Sequence, residues 1–428
     1  VSGRPLDGEA GRNPAVAWPD PVVEGLEVYL VGGAVRDHLL GRPVKERDWV
    51  VVGASAELLL RRGFRPVGRD FPVFLHPHTH EEYALARTER KCAPGYRGFE
   101  VQADPGVTLI EDLERRDLTV NAMAQAADGT LIDPFGGAGD LRARRLRHVS
   151  DAFREDPVRI LRLARFAARY AAYGFRPARE TLELARRMVA LGEVDALVPE
   201  RVWQEWSRAL VEPSPWVFIE VLRDCQALTR LLPELDALFG IPQSPAHHPE
   251  IDTGAHTLLV LRVAAELSTE LDVRFAALMH DLGKGATPQR DWPRHPDHDR
   301  LGVPLIEAVC ARFRVPVACR ELAVLVSREH VRCHTADRTR PEEILALLEA
   351  CDAFRRPERF RRLLLVCEAD ARGCAGRQHQ AYPQRPLLEA CLDATAEVSG
   401  RDVAGADMDG RAIGNALRAA RLAAISTC

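Results

Sequence analysis

Short apolar runs rich in β-branched and aromatic residues punctuate the first third of the chain. LEVYLV (26–31), DWVVVG (48–53), FPVFLH (71–76) and EYALAR (82–87) read as strands. Between the first two, AVRDHLLG (34–41) has the period of a short helix, stopped by Gly41 with Pro43 beyond. The stretch 26–150 is therefore expected to be a mixed α+β unit. From about Ser150 the period changes and strand signals nearly vanish. DPVRILRLARFAARYAAY (156–173) and ETLELARRMVALG (180–192) repeat apolar residues at helical spacing among good helix formers. A Pro-, His- and Gly-containing break, GIPQSPAHHPEIDTG (240–254), divides the all-α remainder into 151–243 and 244–398. Residues 1–25, rich in Gly, Pro and Asp, are expected to be a disordered extension, and 399–428 a C-terminal tail.

Composition narrows the function classes. The formal charge of −4 makes the chain no polycation, so nucleic-acid contact must come from a local patch. One such patch is legible: between Arg142 and Arg187 there are thirteen arginines against five acidic residues. A solvated helix face accounts for part of that excess. The ten cysteines show no C-x-x-C spacing, which fits reduced thiols in a cytoplasmic protein better than a disulfide framework or structural zinc. No apolar run approaches the roughly 18 residues of a membrane span, and residues 1–25 lack the apolar core of a signal peptide.

Two constellations carry chemistry. In the first, the strand 26–31 meets Gly32-Gly33 and then a helix, an arrangement that lets backbone approach a phosphate, with Arg36 one turn in. An ordinary turn would look the same. Glu46 and Asp48 follow at spacing i, i+2, which in extended backbone puts both carboxylates on one face, suited to magnesium; a solvated acidic pair is the plain alternative. In the second constellation, the helical segment GAHTLLVLRVAAEL (254–267) carries His256. VRFAALMHDLGKG (273–285) closes on the adjacent pair His280-Asp281, with Asp370 further on in CEADARG. Imidazole and carboxylate are natural ligands for a divalent metal with open positions.

Taken together, G-G-A-V-R-D followed by E-R-D-W-V-V-V-G resembles the bacterial tRNA nucleotidyltransferases, the CCA-adding enzymes of the polymerase-β superfamily. The likeness is to the multifunctional type that carries an HD phosphohydrolase domain, and it extends from about Val28 to about Gly373. The resemblance implies a polymerase-β-like nucleotidyltransferase head, an all-α RNA-binding region and an all-α HD domain. It implies that Gly33, Arg36 and, in DLERRDLTVNAM (112–123), Arg116 contact nucleotide, while Asp117 anchors its loop. Glu46 and Asp48 become the catalytic magnesium ligands, although Glu46 stands where the family has aspartate and brings an extra methylene. Asp156 and Arg159 are implied to select the base, and Arg162 and Arg165 to contact nucleotide. On the residues alone, Asp156 also fits a helix N-cap ahead of Pro157. His256, His280, Asp281 and Asp370 match the HD ligand set, with His298 and His330 at positions of extra ligands in two-metal members, or plain surface residues. Lys284 is placed for a phosphate contact.

The implied activity is addition or repair of the 3′-terminal CCA of tRNA from CTP and ATP, with phosphatase and 2′,3′-cyclic phosphodiesterase activity in the HD domain. The implied cofactors are Mg²⁺ for the head and Ni²⁺, Mn²⁺, Co²⁺, a similar ion or Mg²⁺ for the HD site. The expected partners are tRNA and nucleotides, no membrane, and a monomer or homodimer. A poly(A) polymerase of the same superfamily and an HD hydrolase with a decayed head are the alternatives.

Overall fold

Strand Glu27–Val31 (β1) forms where the alternating run predicts it, and Gly32 at φ 67° turns the backbone directly into helix Gly33–Leu39 (α1). The computed structural model describes residues 20–67, 73–91, 99–102, 104–245, 248–403 and 408–428. The expected extension therefore lies outside the described residues as far as residue 19, as do Phe71 and Pro72 of one expected strand. Strand Asp48–Val52 (β2) runs antiparallel to β1, with Val31 opposite Asp48. Its run of buried Trp49, Val50 and Val51 marks a central strand covered on both faces. Gly53 at φ 71° ends it.

Among the described residues the sheet has seven strands, in the order Arg65–Val67, Val73–Leu75, Glu82–Leu85, β2, β1, Ala124–Gln125, Leu131–Ile132. Within it, among the described residues, only β2 and Glu82–Leu85 pair in parallel, which sets Asp48 beside Glu82 at the start of both strands. Val31, Val50, Leu113, Ala122 and Ala124 share one apolar core, so α1 and the loop after helix Leu109–Glu114 are anchored close to the start of β2.

The chain divides into two compact units. The first runs to Val202 and includes 224–227, so it takes in helices Val158–Tyr170 and Arg179–Ala190 as well as the sheet. The only strand pairing beyond Ser150 is the two-residue Arg176–Pro177 with Arg145–Leu146, among the described residues. The second unit comprises 203–223 and 228–428. Its boundary falls inside the segment 151–243. Helices Thr253–Leu267, Leu271–Met279, His298–Phe313, Val317–His334 and Pro357–Arg372 build this unit around Phe275 and Phe360. At Gly283 an added Cβ would collide with the His298 carbonyl, so glycine lets the loop after His280-Asp281 touch the start of the next helix. Among the described residues, no helix is long and apolar enough to cross a membrane.

Candidate functional site

In the first unit, Asp48 opens β2 and Glu46 sits two residues earlier, before the strand begins; both are exposed. The two are electrostatic neighbours. Partial burial raises the Asp48 carboxyl above its usual range, Arg116 opposes this, and the Glu46 charge adds to the rise. Two hard oxygen donors that repel one another fit a divalent cation of the magnesium class.

Arg116 is held from behind. Asp112, fully buried, accepts from Arg116 Nη2 at 3.1 Å and from Arg115 Nη2 at 2.6 Å. Burial would raise Asp112; Arg116 and Arg115 outweigh it and keep the carboxyl below its usual range. Arg116 Nη1 stands 3.0 Å from where a Cβ on Gly32 would lie, so Gly32 serves both its positive φ and this close approach. Asp117 does anchor its loop: it accepts from the Leu118 N–H, from Asn121 and from Arg162 Nε at 2.8 Å. Gly33 begins α1, where an added Cβ would meet the Arg36 guanidinium at 3.4 Å. Arg36 itself is 4% exposed; it donates to Asn121 and Asp37 and lies over the Phe166 and Tyr170 rings. Its guanidinium thus ties α1 to helix Val158–Tyr170.

Asp156 stands one residue before Pro157, at the entry to helix Val158–Tyr170. Its Oδ1 accepts from the Val158 N–H at 3.1 Å, a cap interaction, while Arg201 grips both oxygens at 3.0 and 2.6 Å. Arg159 is buried and donates to the Ala152 carbonyl at 2.8 Å. Arg162 pairs with Asp117, and Arg165 lies over the Phe166 ring at 4.8 Å. Asp112, Asn121 and Arg201 are absent from the sequence assignment. The first two lie within or beside a quoted motif, but Arg201 is 45 residues from its partner and gives no local signal.

The second unit gathers its histidines and aspartates into one buried centre. Helix Leu271–Met279 closes at His280, and Asp281 leaves helical geometry at φ −107°, ψ 12°. His280 Nε2 is 3.1 Å from Asp281 Oδ2 and 3.7 Å from Asp370 Oδ1; His256 Nε2 is 2.9 Å from Asp370 Oδ1. His298 and His330 reach Asp281 Oδ1 at 3.5 and 3.8 Å, and their Nε2 atoms lie 3.3 Å apart. Asp281 therefore belongs to two donor groups, one with His256 and His280, one with His298 and His330. Lys284 Nζ donates to Asp281 at 2.6 Å and to Gln243 at 2.9 Å, which leaves one of its three protons free to aim elsewhere.

Three observations fit this centre to metal. The Nδ1 atoms of His280, His298 and His330 face the carbonyls of Ala277, His295 and Val326 at 2.8–3.0 Å. Those bonds fix the proton on Nδ1 and turn the Nε2 lone pairs inward, the tautomer a ligating histidine needs. His280 Nε2 and Asp281 Oδ1 are buried with no hydrogen-bond partner among the described residues, a costly state without a ligand. His334, outside the sequence assignment, supports Asp370 Oδ2 at 2.8 Å and is itself met by the Tyr382 hydroxyl at 3.0 Å.

Charge is tightly coupled here. Burial would depress His256, but Asp370, Cys374 and Glu250 hold it well above the usual histidine range. His280 is raised against burial by Asp281 and Asp370. Burial would lift Asp281 and Asp370, yet the facing His280 takes both well below the carboxylate range. Burial drops His330 to about 3. A histidine raised on folding adds stability that is complete below its unfolded value of about 6.5 and is lost as pH climbs through the raised value. His330, neutral in both states above that pH, does not offset this. Chelator-stripped protein is therefore expected to melt progressively lower as pH rises from about 6.5. Added Mn²⁺ or Ni²⁺ is expected to remove the decline, since metal replaces the protons. Melting curves across pH with and without metal check both.

Comparison with known proteins matches three successive regions of the chain, the middle one crossing the boundary between the two units. Residues 28–147 match the poly A polymerase head domain, 174–239 a region described as the probable RNA and SrmB-binding site of polymerase A, and 253–371 the HD domain. A multifunctional CCA protein of Thioalkalivibrio sulfidiphilus is 62% identical over 400 residues, covering 94% of this chain and 98% of its own. One from Alkalilimnicola ehrlichii is 61% identical over 401 residues, covering 94% and 97%. Among solved structures, a CCA-adding enzyme in apo form I aligns with a TM-score of 0.64 at 20% identity, covering 94% of this chain and 87% of that one. The Thermotoga maritima CCA-adding enzyme complexed with tRNA aligns at 0.62 and 20%, covering 94% and 88%. At that distance the structures speak for the fold: a mixed-sheet polymerase-β-like head, a helical RNA-binding region and an HD domain. With about 60% identity along nearly its whole length, the chain belongs to the multifunctional CCA protein family.

Proposed function

We propose that this enzyme adds or repairs the 3′-terminal CCA of tRNA, taking CTP and ATP without a nucleic-acid template, and that its HD domain hydrolyses phosphoesters. The observation that carries the reading is the near-full-length identity to multifunctional CCA proteins, joined to two separate donor sets in the two units. Glu46 and Asp48 are the residues to hold Mg²⁺, which when bound neutralises nucleotide phosphates and lowers the barrier to attack by the tRNA 3′-hydroxyl on the α-phosphate. Arg116, braced by Asp112, lies within electrostatic reach of Asp48 and supplies positive charge to the triphosphate. Arg36 acts from beneath, fixing the Gly32-Gly33 turn.

Base choice falls to Asp156 and Arg159. A carboxylate accepts from the exocyclic amino group that cytosine and adenine share on the pairing edge, and arginine donates to the neighbouring acceptor; uracil lacks the amino group. Arg201 clasps both oxygens of Asp156 and keeps the carboxylate aimed. Arg201→Met is therefore expected to lower CTP-over-UTP discrimination by roughly tenfold, the lower end of what one misplaced base-reading pair is worth. Paired CTP and UTP incorporation rates measure this, and unchanged discrimination would remove Arg201 from the account.

In the HD domain, His256, His280, Asp281 and Asp370 are the residues to hold one divalent metal, with His298 and His330 around Asp281 as a second position. Metal held there supplies Lewis acidity for hydrolysis of a phosphoester. Lys284 directs its remaining proton to the substrate phosphate, and His334 orients Asp370. Nickel, manganese, cobalt and magnesium all suit this mixed nitrogen and oxygen set. The substrate class is a phosphomonoester or 2′,3′-cyclic phosphate at an RNA end. The enzyme acts in the cytoplasm, as a monomer or homodimer.

A further inference from the structure

On the far side of His256 from Asp370, four donor atoms meet, of which only the His256 ring serves the HD centre, and through its other nitrogen. His248 Nδ1, a Glu250 oxygen, His256 Nδ1 and Cys374 Sγ all lie within 4.8 Å of one another. Glu250 Oε1 is 2.9 Å from His256 Nδ1 and 3.3 Å from His248 Nδ1, and Cys374 Sγ is 3.6 Å from His248 Nδ1. A tetrahedral zinc with its usual bond lengths sets its ligand atoms roughly 3.3–3.8 Å apart, so these separations are near the edges of such a tetrahedron.

Two features favour a cation over a closed hydrogen-bond network. His256 Nδ1 is buried and makes no hydrogen bond with any described residue, although a carboxylate oxygen lies close by. Its other nitrogen faces Asp370 at 2.9 Å. A divalent cation between Nδ1 and the Glu250 oxygen takes the place of a proton there and bonds both atoms where the hydrogen-bond geometry is not met. The second feature is preorganisation. The Ala375 N–H donates to the other oxygen of Glu250 at 3.0 Å, which turns Oε1 toward the histidines, and the neighbouring Cys374 is buried against them.

We propose that His248, Glu250, His256 and Cys374 form a further metal site for a thiophilic divalent cation, zinc foremost. The thiolate and two imidazoles separate it chemically from the head, whose donors are carboxylates, and from the HD centre, which has no sulfur. His256 belongs to both neighbouring sites, and a neutral imidazole has one lone pair. Filling this site through Nδ1 therefore withdraws the ring from the HD metal at Nε2.

Reduced, metal-stripped full-length protein titrated with Co²⁺ tests the site by its sulfur. The expected result is a near-ultraviolet thiolate-to-cobalt charge-transfer band that Zn²⁺ abolishes. Cys374→Ser is expected to lose the band while far-ultraviolet circular dichroism and melting stay as in wild type. Asp281→Asn, which cripples the HD centre, is expected to keep it. His248→Gln is expected to weaken cobalt binding by roughly tenfold or more. Absence of the band at saturating cobalt in wild type, or its persistence in Cys374→Ser, would overturn the proposal.

Discussion

Asp48→Asn is expected to reduce nucleotide incorporation by about a thousandfold or more, the scale on which losing one preorganised electrostatic group at a reacting phosphate is felt. The side chain keeps its size and its place at the mouth of β2, so folding is expected to be unchanged. What disappears is one of two charges that the structure sets side by side. Burial first, and the Glu46 charge in addition, raise the Asp48 carboxyl, and neutralising it relieves both costs. Melting temperature is accordingly expected to hold or rise slightly while activity collapses. Glu46→Asp gives the graded comparison, because it keeps the charge and shortens the reach. Magnesium demands near-octahedral geometry at about 2.0–2.1 Å, so rate and magnesium requirement are expected to move with that one methylene. Rates with labelled CTP across a magnesium titration read both variants. Full activity of Asp48→Asn would remove the carboxylate pair from catalysis.

The second large effect is expected in the other unit. Asp281→Asn should abolish HD phosphohydrolase activity, by about a thousandfold, because Asp281 is the one side chain shared by both donor groups. The same change leaves Lys284, whose ammonium is 2.6 Å from Asp281, with an uncompensated charge in a buried site. Some loss of thermal stability is therefore expected with the loss of activity. Incorporation of CTP and ATP is expected to survive, since its donors lie in the first unit. Hydrolysis of a 2′,3′-cyclic nucleotide with added Ni²⁺, set beside incorporation, measures the separation. Equal loss of both activities would mean that the two centres are not independent.

These two sites were unequally legible in the sequence. The Gly32-Gly33 turn, the Glu46/Asp48 pair and the His280-Asp281 dipeptide are local patterns, and a strand or helix start places them almost unaided. Element ends moved by a residue or two where a glycine intervened, as at Gly53 and Gly192, both with positive φ. The strands Arg65–Val67, Ala124–Gln125 and Leu131–Ile132 carry too few residues to show a period, and the parallel pairing of β2 with Glu82–Leu85 depends on the whole sheet. The bracing residues were hidden for a different reason. Arg201 on Asp156, His334 on Asp370 and Glu250 against His256 join positions far apart along the chain or across a loop. Each looks like an ordinary charged or polar residue until folding sets it beside its partner. Arg36 shows what a motif leaves out: its guanidinium, assigned to nucleotide by position, is also buried over two aromatic rings, a packing contact with no local signal.

The most direct test of the central claim is incorporation by wild-type enzyme on a tRNA transcript lacking its 3′ CCA, with Mg²⁺ and each labelled nucleotide in turn. CTP and ATP together are expected to be added, with addition stopping at CCA. UTP and GTP are expected to stay close to background. Incorporation of UTP as readily as CTP, or an ATP run continuing past the terminal A, would contradict the claim.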